Sequence, residues 1–315
     1  HLVRTRKFAV FCAPPAFPLA KDGAVVVSES FAAACSGPLT GLGSGDSMLQ
    51  LGLIDDESLF EKVRDECLWN EMSHKGSPVP RLVCMQGTFL RDAAGSVVGE
   101  PVYRHPADSQ PPMGSWTPTV DALRDATSKA LGGQPFNHAL IQWYRGGQDY
   151  ISEHADKTLD IARGSAIVNV SLGATRTMVL RSKKGGVGSS GSSSAAFGRE
   201  SGRGRSGNGS KLHGTLPKRA TQRVDLPHGS LFSLGWDTNK EMTHEIRQDK
   251  RLSRDKTQAE LAFDGQRISL TFRNVATFQR HRDGQLFGQG ARAKNESELP
   301  LDGAGSGAGS GSGSG

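Results

Sequence analysis

The chain has 315 residues, 40 of them Gly, and 38 Lys or Arg against 32 acids give a net charge of +6. That length holds one large domain or two modest ones, and the lack of any apolar run of about 18 residues excludes a helical membrane span. Four scattered cysteines (Cys12, Cys35, Cys67, Cys84) form no Cys-x-x-Cys pair, so neither a zinc cluster nor a disulfide framework is suggested, and a reducing compartment, nuclear or cytoplasmic, is expected.

Residues 1–40 are expected to be poorly organised. RTRKFAVFCAPPAFPLA, from Arg4, has the basic start and apolar stretch of a signal peptide, but Pro14, Pro15 and Pro18 interrupt it. A folded domain is expected over 41–280. DDESLFEKVRDECLWNEM, from Asp55, predicts a helix, because Leu59, Phe60, Val63, Cys67 and Leu68 recur at helical spacing behind acids that the helix dipole favours. TPTVDALRDATSKALGG, from Thr117, predicts a second. Pro118 lies in its first turn, Val120, Leu123 and Leu131 share one side, and a Gly pair ends it.

Strands follow. ALIQWY (139–144), AIVNVSL (166–172), TRTMVLR (175–181), GSLFSLGW (229–236), MTHEIR (242–247) and RISLTFR (267–273) are short, β-branched and separated by turns. Helices first, then strands without intervening helices, predict an α+β domain with a mainly antiparallel sheet pair or barrel. Within this run, 185–214 holds almost no large apolar residue and reads as a flexible Gly/Ser-rich insertion. Between Arg181 and Arg223 ten Lys or Arg stand against one acid, Glu200, so the rest of the chain is net negative. Such an arm can follow a phosphate backbone or be merely solvated. The segment 281–315, ending in GAGSGAGSGSGSG, is expected to be a disordered tail.

His154 and Asp156, in YISEHADKT, lie two apart and hence on one side of an extended chain. The spacing alone is a weak signal, and His281 and Asp283 repeat it. A mononuclear iron oxygenase needs two imidazoles and one carboxylate on one face of the metal, with the other positions open. His244, in the later MTHEIR strand, supplies the second imidazole, whereas His228, in LPHGS, reads as a surface turn residue. RISLTFR places Arg267 and Arg273 on one strand face. An inward Arg is costly unless an anion answers it, and a dicarboxylate cosubstrate can do so through paired hydrogen bonds. Edge-strand salt bridges are the alternative for that pair.

The set His154-Ala-Asp156, His244 and Arg267-Ile-Ser-Leu-Thr-Phe-Arg273, with VNVSLGATRTMVLR and PHGSLFSLG, resembles the AlkB-type Fe(II)/2-oxoglutarate dioxygenases over about residues 78–277. The wording DIARGSAIVNVSLGATRTM is similar to fungal members. The resemblance implies a double-stranded β-helix, or jelly roll, with helices on the outer face of one sheet. It implies Fe(II), 2-oxoglutarate and O2 as cofactors, with His154, Asp156 and His244 on the iron. Arg267 would grip the distal carboxylate of 2-oxoglutarate, Tyr144 would donate its hydroxyl, and Arg273 would lie near the keto-acid end. The family's Asn-x-Tyr is Gln142-Trp143-Tyr144 here, and its Arg-x-Asn is Arg267-Ile-Ser269; Gln142 and Ser269 keep hydrogen-bonding capacity. On the substrate side Thr158 stands where repair members carry an acid, and Gln86, in VPRLVCMQG, stands where an aromatic often stacks on the base. Arg81, Tyr103 and Arg104 are candidates for the pocket rim.

Three functions stay open at this level. Hydroxylation or oxidative demethylation of an N-alkyl group on nucleic acid is the family's default, with 181–223 as a contact to methylated nucleic acid. A protein side chain or small molecule is favoured instead by Thr158, Gln86 and the acidic remainder. A catalytically inactive nucleic-acid-binding module is the third, opposed by the presence of every metal ligand and both arginines. A monomer with no membrane partner is expected.

Overall fold

The computed structural model describes residues 37–38, 45–104, 109–183 and 219–300, so the insertion at 185–214 and most of the N-terminal segment lie outside the described residues. The chain runs through β1 (Met48–Gln50), α1 (Ser58–Glu66), β2 (Leu82–Gly87), β3 (Val97–Pro101) and α2 (Pro118–Ala130). Then come β4 (His138–Tyr144), β5 (Ile151–His154), β6 (Ile167–Gly173), β7 (Arg176–Ser182), β8 (Thr221–Leu226) and β9 (Ser230–Leu234). A short helix, α3 (Trp236–Glu241), precedes β10 (Met242–Ile246), β11 (Arg267–Arg273), β12 (Thr277–Arg280) and β13 (Leu286–Gly288).

Strands β1, β9, β6, β11, β4 and β2 lie side by side in a major sheet, and β5, β10, β7 and β8 form a minor one. Over β4–β11 the chain crosses repeatedly between them, placing β4, β6, β9 and β11 in the first and β5, β7, β8 and β10 in the second, with antiparallel neighbours throughout, while β12 and β13 join β3 in a separate sheet. This is the expected double-stranded β-helix.

Alternation along the central strands decides which side is core and which is site. In β6, Val168, Val170 and Leu172 face the helices, and in β11 so do Ile268, Leu270 and Phe272. They pack on Leu59, Phe60 and Val63 of α1 and on Val120 and Leu123 of α2. Each such side chain contributes about 1.5–3 kcal/mol by leaving water. The intervening residues, among them Asn169 of β6 and Arg267, Ser269, Thr271 and Arg273 of β11, turn to the space between the sheets. Apolar side chains of the minor sheet, including Met178, Leu180, Val224 and Ile246, close that space from the other side.

Several expectations need correction. The first helix stops at Glu66: Cys67 is extended, Leu68 is 74% exposed, and Asn70 turns to pair with Val83 of β2. The strand expected over 229–236 ends at Leu234, because the Asp46 carboxylate accepts from the backbone of Asp237 and Thr238 and starts α3 there. Any side chain at Gly235 would collide with that carboxylate. The second helix fits its expectation, with Thr117 as N-cap, Pro118 first, and Gly132 and Gly133 at positive φ beyond its end.

The structureless segment expected from 281 is contradicted over 281–300. β12 and β13 pair, and Phe278 stacks on Phe287. The Gln289 amide donates to the carbonyls of Leu159 and Ile161 and accepts from Arg163 N–H. The C-terminal segment thus holds the loop 159–163. Among the described residues no helix is long and apolar enough to cross a membrane.

Candidate active site

The end of β5 and the middle of β10 pair in antiparallel register, His154 opposite His244, with ring centroids 4.3 Å apart. Asp156 follows β5 by two residues. One ligand atom from each of His154, Asp156 and His244 lies within 4.8 Å of the others. His154 Nδ1 is 2.8 Å from the Ser152 carbonyl. A carbonyl only accepts, so Nδ1 carries the hydrogen and Nε2 keeps its lone pair for a metal.

The electrostatics suit a cation. Burial alone would raise the Asp156 pKa, but Arg273, His244 and His154 outweigh it and hold the carboxyl well below the usual range. Burial, and then the neighbouring His154, push His244 down to about 3, so its imidazole is neutral near pH 7. Arg273 Nη2 sits 3.3 Å from the Asp156 carboxylate, and its guanidinium lies 4.2 Å from the Tyr103 ring centroid. Tyr103 donates to Asp156 Oδ1 at 3.3 Å and accepts from Lys157 N–H. Burial and the Asp156 charge raise the Tyr103 pKa, so the phenol keeps its proton.

A cleft of about 510 Å³, its open mouth included, adjoins these groups. Arg267, 1% exposed, lines it. Its Nη2 donates to Asn169 Oδ1 (3.1 Å) and Ser171 Oγ (2.8 Å), while Nε and Nη1 meet no hydrogen-bond partner among the described residues. Burial lowers its pKa to about 10, still charged at neutral pH. A buried cation with two unanswered donors fits an anionic ligand. Tyr144 packs against that guanidinium, 5.4 Å from ring centroid to Cζ, and donates to Gln142 Oε1 at 3.0 Å. Ser269 Oγ accepts from the Asn169 amide. Gln142, Tyr144, Arg267, Ser269 and Arg273 all line the cleft.

The substrate candidates fare differently. Gln86 shares the helix-side face of β2 with Cys84, is 2% exposed and bonds Thr117, so no base can stack there. Arg81 is buried rather than at a rim, donating from Nε to Gln142 Oε1 (2.8 Å) and from Nη1 to Tyr150 O. Arg104 is engaged by the buried carboxylate of Asp160. Tyr103 sits against Asp156, inside the site. Thr158 is half-buried and is not among the residues lining the cleft.

His228 is no surface turn residue: its Nδ1 accepts from Gly173 N–H and its ring stacks on Phe263. His281 and Asp283 lie apart from the site, bonded to Glu100 and Arg280. Sequence reasoning missed Asn169, Ser171 and Asn239. The first two left a trace, polar residues alternating with apolar ones in VNVSL; Asn239 left none.

Two imidazoles and a carboxylate arranged with open positions define the non-haem iron oxygenases as the class to which such a site belongs. The family model described as 2OG-Fe(II) oxygenase superfamily matches residues 55–273, and the chain belongs to that family, which works with Fe(II), 2-oxoglutarate and O2. Its matches to curated proteins are AlkB-like. The chain is 31% identical over 162 residues to the DNA oxidative demethylase ALKBH2 of Bos taurus, covering 51% of this chain and 44% of that protein. The Arabidopsis thaliana protein of that name is 31% identical over 168 residues, covering 53% and 47%. The alpha-ketoglutarate-dependent dioxygenase alkB homolog 3 of Rattus norvegicus is 24% identical over 203 residues, covering 64% and 54%. The chain spans about half the length of these relatives.

Proposed function

We propose that this chain is an oxidative demethylase of N-alkylated nucleic-acid bases, with His154, Asp156 and His244 as iron ligands and Arg267 as the anchor of 2-oxoglutarate. The observation that carries the proposal is the convergence of the three ligands beside a buried guanidinium with two unanswered donors. When bound, iron, 2-oxoglutarate and O2 together supply oxidation of a substrate C–H bond, and a hydroxylated N-methyl group then leaves as formaldehyde.

The chain's own residues bind and orient. Asp156 brings one negative charge and the imidazoles none, so a divalent ion stays Lewis-acidic. Arg267 would hold the distal carboxylate, for which Nε and Nη1 are the donors left without a partner among the described residues. Gln142 Oε1 is occupied by Arg81 and Tyr144, which leaves the amide NH2 as a donor toward the cleft. Ile151, Met178, Phe232, Leu234 and Ile246 give the cleft an apolar wall that limits water.

Nucleic acid is favoured as substrate by the relatives named DNA oxidative demethylase and by the basic segment that joins Lys183 to Arg219. Lys183 itself lies near the site, bonded to Asn239 O. The rival reading, a protein or small-molecule substrate, loses one support, since Gln86 faces the helices. A nuclear or cytoplasmic enzyme is consistent with this substrate.

His154→Ala and Asp156→Ala should each abolish 2-oxoglutarate turnover; full activity in both variants with metal bound would exclude the ligand assignment. Formaldehyde release should appear on methylated DNA or RNA and not on methylated peptides. Binding to methylated oligonucleotides should weaken steeply with salt. Deleting 185–214 should flatten that slope while uncoupled 2-oxoglutarate turnover persists. A peptide-only activity would favour the rival.

A further inference from the structure

Asp156 lies beyond the end of β5, where no strand ladder holds its backbone. One side chain from α3 does so instead. Asp156 N–H donates to Asn239 Oδ1 at 3.0 Å, and Asn239 Nδ2 donates to the Asp156 carbonyl at 3.0 Å. Two residues of an antiparallel pair exchange bonds in this way, so the Asn239 amide stands in for the missing strand neighbour.

The clamp is itself held. Asn239 is 2% exposed, its N–H donates to Gly235 O, and its carbonyl accepts from Lys183 Nζ at 3.0 Å. The helix that carries it is pinned at its start by Asp46, which accepts from Thr238 Oγ1 as well as from the backbone. Only a carboxamide offers a donor and an acceptor side by side. Asp would face the Asp156 carbonyl with a second acceptor, and Gln is one methylene too long.

From this geometry we infer that Asn239 is a positioning residue for the metal: it fixes the backbone of Asp156 so that the carboxylate keeps its place beside His154 and His244. The inference rests on the ligand assignment proposed above. Loss of such an outer partner typically weakens metal binding about 10–100-fold.

The test is Mn(II) affinity, measured by calorimetry on the full chain without substrate. Asn239→Ala and Asn239→Asp are each expected to lose about 10–100-fold. Thr238→Val, which removes one hydroxyl bond to Asp46 and leaves both backbone bonds that pin the helix and the Asn239 amide, provides the comparison for thermal stability. It is expected to lose stability while keeping its Mn(II) affinity. Wild-type affinity in Asn239→Asp, or an equal loss in Thr238→Val, would overturn the inference. Should Asn239→Ala fail to fold, the near-isosteric Asn239→Asp decides the matter alone. Unchanged Mn(II) affinity in Asp156→Ala would instead overturn the ligand assignment itself, which separates the two failures.

Discussion

Replacing Arg267 with Met separates the cosubstrate role of this residue from a structural one. Nε and Nη1 meet no hydrogen-bond partner among the described residues and are free to bond a carboxylate. Charge-assisted bonds of this kind contribute about 1.5–3 kcal/mol each. Two of them amount to about 3–6 kcal/mol, or roughly two to four orders of magnitude in Kd. Folding responds differently. Burial brings the guanidinium from 12.5 to about 10, which costs the charged folded state on the order of 3 kcal/mol that Met removes. Met also removes the Arg267 donor from Asn169 Oδ1, which keeps Ser171 Oγ, and from Ser171 Oγ itself, a loss of about 1–3 kcal/mol. The two effects nearly cancel. Titration of the Mn(II)-loaded variant with 2-oxoglutarate should therefore show collapsed affinity, while urea unfolding shows little change. Binding within about threefold of wild type, well under 1 kcal/mol, would refute the anchoring role.

Three further outcomes follow from the same geometry. Because His244 falls from 6.5 in the unfolded chain to about 3 when folded, the unfolded state takes up a proton that the metal-free native state refuses. The stability it contributes is full above pH 6.5 and is lost as pH falls toward 3, by at most about 5 kcal/mol. His244→Gln should flatten the pH dependence of the urea midpoint, and parallel curves would contradict this. Arg81→Met frees the Gln142 amide to flip and should raise the Kd for 2-oxoglutarate about tenfold with metal affinity unchanged, read by calorimetry; an unaltered Kd would show that the amide needs no such partner. Phe272→Ala, on the helix side of β11, should cost about 3–5 kcal/mol in unfolding free energy, and a loss below about 1 kcal/mol would place it outside the core.

Much of this fold was legible wherever period-two alternation was strong. The bounds of β11 coincide with RISLTFR because apolar Ile268, Leu270 and Phe272 alternate with the residues that line the cleft. β8, in TQRVDL, leaves little trace because polar Gln222 takes one of its inward positions, and only Val224 and Leu226 remain as apolar markers. His154, Asp156 and His244 are legible as a set because each lies on or just beyond a readable strand. Gln86 was misplaced because its neighbourhood suggested a pocket, while the strand phase, shared with Cys84, puts it under the helices. Asn239 could not be found at all. Its contact with Asp156 spans 83 residues and depends on how α3 docks, which no local pattern records.

The strap formed by the C-terminal segment has a practical consequence. The family's characteristic segment ends at Arg273, yet Asn274, Ala276 and Gln289 supply the hydrogen bonds that hold 159–163, the stretch immediately downstream of Asp156. A chain trimmed to the borders of homology would retain His154, Asp156, His244 and both arginines, and would still lose the hydrogen bonds that Ala276 and Gln289 make to 159–163. The hydrogen-bonded domain therefore extends past its recognisable signature as far as the Pro300 carbonyl, which accepts from Arg280.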